Sequence, residues 1–143
     1  MRRYLVDTNV IVDILTRDRV WFDWSSQALQ TAADLGPLAI NPIIYAELAA
    51  GFERIEDLEA ALPQPDWARL PLLWSAGFLA GRCFSDYRKR GGARLRPLPD
   101  FYIGAHAAVD GLTLITRDVA RYRTYYPTVE LVAPPALGAG DPR

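Results

Sequence analysis

Apolar positions along the chain fall into short blocks whose spacing switches between that of a buried strand and that of a helix. Tyr4-Leu5-Val6 is a brief run of β-favouring residues that stops at Asp7, and Val10, Ile11, Ile14 and Leu15 then recur at helical spacing. Asp7, Thr8 and Asn9 between them are residue types that open helices, so the segment reads as strand, tight turn and helix. A second helix is expected from about Asp23 to Leu35, striped by Trp24, Ala28, Leu29, Ala32 and Ala33 and ended by Gly36-Pro37. Trp21, Phe22 and Trp24 crowd its start, as core or as a contact surface. Leu38-Ala39-Ile40 makes a minimal second strand, and Asn41-Pro42 is a cap and first-turn pair opening a third helix. The pattern continues with a charged helix over Glu53–Leu62, a short edge strand over Trp67–Leu70 and a long helix from Leu72 to about Tyr87, halted by Gly91-Gly92. An almost wholly apolar helix follows over Phe101–Val109, then strands over Leu112–Ile115 and Val129–Val132.

Alternating strands and helices predict an α/β fold: one domain over residues 1–132, three layers, α/β/α, around a central, mostly parallel sheet of four or five strands. The tail 133–143, rich in Pro, Gly and Ala, is expected to be flexible. In such a sheet the carboxyl ends of the strands share one edge, and ligands bind in the crevice outside it. No apolar run is long enough to cross a bilayer, and Asp7 interrupts any signal-peptide core, so a cytoplasmic protein without a membrane role is expected. The single cysteine, Cys83, excludes an internal disulfide and fits a reducing compartment. One His and one Cys are too few for an ordinary zinc site, which leaves oxygen-liking ions.

Four acids stand where chemistry is expected. Asp7 ends the first strand, where it can also cap the first helix. Glu47 falls with Ile43, Ile44, Ala50 and Gly51 at three- and four-residue spacing, inside the apolar stripe of the third helix and too far along to be a capping-box acid. There it needs an arginine, a proton or a metal. Asp100 follows the rigid Pro97-Leu98-Pro99 at a helix start, again a possible cap, and Asp118 closes the strand-end run Thr116-Arg117-Asp118. His106, six residues beyond Asp100 on a largely different face, is expected to be packed or hydrogen-bonded rather than a base. The topology sends all four acids to one crevice. Two carboxylates about 4 Å apart repel by roughly 4 kcal/mol at a protein-surface dielectric, so the set needs protonation or a divalent cation such as Mg²⁺ or Mn²⁺.

The formal charge of -1 hides a basic cluster in which Arg82, Arg88, Lys89, Arg90, Arg94 and Arg96 surround the lone acid Asp86. Such a run either solvates a helix end and complements its dipole or tracks a nucleic-acid backbone. Beside an acidic metal pocket, the second role would suit phosphodiester hydrolysis.

Asp7-Thr8-Asn9-Val10, Asn41-Pro42-Ile43-Ile44-Tyr45-Ala46-Glu47-Leu48, Leu98-Pro99-Asp100-Phe101-Tyr102-Ile103-Gly104-Ala105-His106-Ala107 and Leu114-Ile115-Thr116-Arg117-Asp118 together resemble, in order and spacing, the four blocks of PIN-domain ribonucleases. The last block, continued through Arg121-Tyr122-Arg123-Thr124-Tyr125-Tyr126-Pro127, is similar to the VapC toxins of bacterial toxin-antitoxin pairs. The resemblance implies a PIN-like fold and an endoribonuclease dependent on Mg²⁺ (or Mn²⁺). It also implies a homodimer restrained in a heterocomplex with a cognate VapB-like antitoxin. By the same resemblance Asp7, Glu47, Asp100 and Asp118 are catalytic metal ligands, directly or through water, and Thr8, Asn9, Thr116 and Arg117 position the acids or the substrate. Some relatives carry a further acid where Ala120 and Arg121 stand here, which leaves a second metal open. Asp13, outside the catalytic set, is expected at the surface or behind the acids.

Two other readings compete. A haloacid-dehalogenase-like phosphatase would use Asp7 as nucleophile, but it wants an acid where Asn9 stands and a later lysine, and the only lysine is Lys89. A catalytically silent PIN-like module would bind RNA or antitoxin without cleaving, yet here no member of the acid set is missing.

Overall fold

In the computed structural model, which describes residues 2–93 and 98–135, the first strand becomes the middle of the sheet. Strands β1 (Tyr4–Val6), β2 (Leu38–Ile40), β3 (Trp67–Arg69), β4 (Thr113–Ile115) and β5 (Leu131–Val132) stand in the order β3-β2-β1-β4-β5. Every neighbouring pair is parallel, so the sheet is wholly rather than mostly parallel. All residues of β1, β2 and β4 are buried, so side chains pointing either way from the sheet meet packed helices, as the continuous apolar runs require.

The helices are α1 (Thr8–Leu15), α2 (Phe22–Leu35), α3 (Pro42–Ala49), α4 (Ile55–Ala61), α5 (Trp74–Lys89), α6 (Pro99–Asp110) and α7 (Ala120–Tyr125). The first six match the expected segments. Helix α7 was not expected: it is only six residues long, and its sequence ARYRTY carries no apolar stripe beyond its tyrosines. Gly111, at a φ of 64°, closes α6 in the left-handed conformation that glycine adopts without strain. Helix α5 packs along α6, α6 also meets α3 and α7, and α1 packs on α2 and α3. Phe101, Ile103, Ala105 and Ala107 of α6 are fully buried, as its apolar composition predicted. No helix of the described residues is long and apolar enough to cross a membrane.

His106 is fully buried and structural, as expected. Asn41 caps α3 by accepting from the backbone N–H of Ile44 at 2.9 Å, so its amide nitrogen donates to Nδ1 of His106 at 3.0 Å. That leaves the ring proton on Nε2, which lies 3.3 Å from Oδ2 of Asp110. Burial lowers the histidine pKa, against the opposing pull of Asp110.

Candidate active site at the carboxyl edge of the sheet

Strand order runs outward from β1 through β2 and β3 on one side and resumes with β4 and β5 on the other. The direction in which strands are added therefore reverses between β1 and β4, and a crevice opens beyond their carboxyl ends. Asp7 follows β1 and Thr116 follows β4, with the Asp7 N–H donating to Ile115 O at 2.9 Å across the gap.

Asp7 serves as cap and as site residue at once. Its Oδ1 accepts from the Thr8 N–H at 2.8 Å at the start of α1, while Oδ2 accepts from the Thr116 hydroxyl at 2.8 Å and the Tyr122 hydroxyl at 3.0 Å. The residue is only 4% exposed. Burial raises its pKa from 3.8 to about 6; the Thr116, Tyr122 and Thr8 hydrogen bonds oppose the rise and the negative charge of Asp100 adds to it. Tyr122, fully buried on α7, has its phenol pushed far upward by burial and by the charges of Asp7 and Asp100, so it remains a donor. No role was assigned to Tyr122 from the sequence, and only the Tyr122, Tyr126 pair at helical spacing hinted at one. Room for it comes from Gly104 on α6: a Cβ there would stand 2.3 Å from the Tyr126 ring and 3.1 Å from that of Tyr122.

The other acids gather at this edge with different exposures. Asp100 sits half-buried in the first turn of α6, one residue past the start; Leu98, not Asp100, holds the N-cap position. Glu47 departs from expectation. It is exposed, because Ile44 and Leu48 form the buried line of α3 and Glu47 lies about 100° of helical turn away from Leu48. Among the described residues it meets no arginine, and it accepts at Oε1 from the Thr8 hydroxyl at 2.6 Å. Asp118 is also exposed, and its N–H donates to the Thr116 hydroxyl oxygen at 3.1 Å. Asn9 joins the same network, with its amide nitrogen 3.5 Å from Thr116 Oγ1 and its Oδ1 accepting from the Arg117 N–H at 3.3 Å.

Arg117 and Asp13 pair behind the crevice, so Asp13 is buried rather than at the surface. Of the basic cluster, Arg82 is exposed midway along α5 and Arg88, Lys89 and Arg90 at its end, with Arg88 and Lys89 in the last turn, where cations complement the helix dipole. The Arg90 guanidinium lies 5.4 Å from the Tyr125 ring centre. Arg94 and Arg96 lie outside the described residues.

Among the described residues no three Asp, Glu, His or Cys side chains stand close enough to share one ion, so the four acids do not form the single cluster expected from the topology. Mg²⁺ does not require one, since it commonly takes one or two carboxylates and completes its shell with water and phosphate oxygens. The all-oxygen pair Asp7 and Asp100, whose mutual repulsion contributes to the raised pKa of Asp7, fits such an ion.

Several solved structures share this architecture. VapBC2 from Rickettsia felis, bound to a DNA fragment from its promoter, aligns with a TM-score of 0.69 at 20% identity over 92% of this chain and 98% of that one. VapBC-1 from nontypeable Haemophilus influenzae gives 0.69 at 21% identity over 92% and 97%. FitAcB from Neisseria gonorrhoeae gives 0.56 at 25% identity over 90% and 95%. No curated protein sequence matches the chain. The sequence model of the PIN domain, however, matches residues 4–125, from the first residue of β1 to the last of α7, and the chain belongs to the PIN domain family.

Proposed function

We propose that this chain is a divalent-metal-dependent endoribonuclease and the toxin of a VapBC-type toxin-antitoxin pair. The observation that carries this reading is Asp7, a carboxylate buried at the switch point of a parallel sheet, gripped by three donors and coupled by charge to Asp100. Asp7 and Asp100 would hold Mg²⁺ or Mn²⁺ directly, with Glu47 and Asp118 reaching it through water. When bound, the ion supplies Lewis-acid polarisation of a phosphodiester and offsets the negative charge gathered there. The Thr8 N–H fixes one oxygen of Asp7 and the Thr116 and Tyr122 hydroxyls fix the other, so the carboxylate keeps one orientation. Thr8 likewise holds Glu47 at Oε1, which leaves an exposed carboxylate to accept a proton from an attacking water. The exposed cations Arg82, Arg88, Lys89 and Arg90 are suited to the ribose-phosphate backbone.

Similar solved structures include a toxin-antitoxin complex from Klebsiella pneumoniae and VapBC-5, of the VapBC family of toxin-antitoxin systems, from Mycobacterium tuberculosis, which supports a VapB-like antitoxin as partner, and the family resemblance supports a homodimer. Trp74, 97% exposed, and Phe78 lie one turn apart on α5 and supply apolar surface of the kind that protein partners cover.

The reading is tested with purified chain free of antitoxin, mixed with RNA and Mg²⁺ or Mn²⁺. Cleavage is expected with either ion, and none with EDTA or with a folded Asp7→Asn variant. RNA bound but uncut by the intact protein would leave a silent binding module and overturn the nuclease assignment.

A further inference from the structure

Asp13 is 2% exposed, in a helix interior where a bare carboxylate would be very costly. It is fully engaged. Its Oδ2 accepts from Arg117 Nε at 2.6 Å and from the Ser25 hydroxyl at 2.7 Å, and its Oδ1 accepts from Arg117 Nη2 at 3.0 Å. This is the two-pronged geometry that arginine gives and lysine does not. The guanidinium also lies 5.0 Å from the centre of the Trp21 ring, which covers it. Asp13 comes from α1, Ser25 from α2 and Arg117 from the residue after Thr116, so three separate segments are tied at one point.

The Arg117 main chain faces the other way. Its N–H donates to Asn9 Oδ1, and on either side of it Thr116 holds Asp7 while the Asp118 N–H bonds back to the Thr116 hydroxyl. Side chain anchored behind, main chain anchored in front, the residue leaves its neighbours little freedom. We infer that the Asp13–Arg117 pair is a strut that positions Thr116 and Asp118 against Asp7, and that Arg117 is a positioning residue with no contact to RNA. A buried ion pair is weak evidence for added stability, and its best-attested use is to select one arrangement over others. To reach a phosphate, Arg117 would have to abandon two short hydrogen bonds and leave Asp13 buried and uncompensated. The catalytic consequence rests on the nuclease reading; the structural one does not.

The test uses the full chain as wild type, Asp13→Asn, Arg117→Ala, Arg117→Lys and Ser25→Ala. It compares amide hydrogen exchange at Arg117 and Asp118 with kcat and KM for Mg²⁺-dependent RNA cleavage well below the melting temperature. Asp13→Asn is expected to speed exchange at those two amides, to leave exchange in α5 unchanged, and to lower kcat by roughly ten- to a hundredfold with KM unaltered. Arg117→Lys is expected to recover part of the kcat lost in Arg117→Ala. Ser25→Ala, which removes one donor and leaves the pair, is expected to shift the same quantities less, and serves if Asp13→Asn does not fold. Wild-type kcat in Asp13→Asn, or a raised KM with unchanged kcat in Arg117→Ala, would overturn the strut. If the wild type cleaves no RNA, the nuclease reading fails separately, and unchanged exchange at Arg117 and Asp118 then overturns the inference by itself.

Discussion

The Tyr122 hydroxyl donates to Oδ2 of Asp7 at 3.0 Å, joining residues 115 positions apart and leaving the phenol completely enclosed. Tyr122→Phe keeps the ring and removes the bond, so stability at pH 7 should fall by about 1.5–3 kcal/mol, the range for a hydrogen bond to a charged group. Urea unfolding of the two proteins measures this, and the same variant should cleave more slowly because Asp7 is less firmly oriented.

Asp7 should make the metal-free protein less stable as pH rises. Its folded pKa of about 6 exceeds the unfolded 3.8, so between those values the folded state binds more protons and stability falls with rising pH. The loss amounts to about 3 kcal/mol by neutral pH. His106 acts oppositely: its pKa is lowered by burial, so its stabilisation is complete above 6.5 and is lost as pH falls through its folded pKa. Urea titrations from pH 4 to 8 on wild type and Asp7→Asn separate the two, since the variant should lose the decline from pH 4 to 6 and keep the acid-side loss from His106.

Divalent ions should reverse that penalty. If Asp7 and Asp100 hold Mg²⁺ or Mn²⁺, a concentration a hundredfold above Kd stabilises the fold by about 2.7 kcal/mol by mass action. The melting temperature should therefore climb with Mn²⁺ at pH 7.5 and much less at pH 5.5, where protons compete for Asp7. An identical climb in Asp7→Asn would place the ion elsewhere.

Gly104→Ala should damage the site through the contact between α6 and α7. The added methyl would stand 2.3 Å from the Tyr126 ring, too close for contact, and must drive α7 outward. Overpacking of this kind costs about 1–3 kcal/mol. The displacement would also draw Tyr122 from Asp7, so thermal melting and RNA cleavage should decline together.

Local signals announced β1, the turn at Asp7, the Asn41 cap of α3 and the apolar α6, because each is decided by residues adjacent in sequence. Glu47 was misread for a geometric reason: three- and four-residue spacing admits several stripes on a two-turn helix, and only packing against α1, α4 and α6 decides that Ile44 and Leu48 face inward. The Asp13–Arg117 pair and the Tyr122 bond were illegible because their partners are separated by 104 and 115 residues. Helix α7 escaped notice because Tyr122 packs near a glycine of α6 and Tyr125 against Phe101 and Tyr87, instead of repeating an apolar pattern.

The long reach of the bonds to Asp7 has a consequence during synthesis. Thr116 and Tyr122 emerge from the ribosome 109 and 115 residues after the aspartate they hold, so a nascent chain carries an unfinished Asp7 network for nearly its whole elongation. Any product released before Thr116 lacks two of the three groups that fix Asp7. Under the nuclease reading proposed above, such a dependence on completion would leave prematurely terminated fragments inactive.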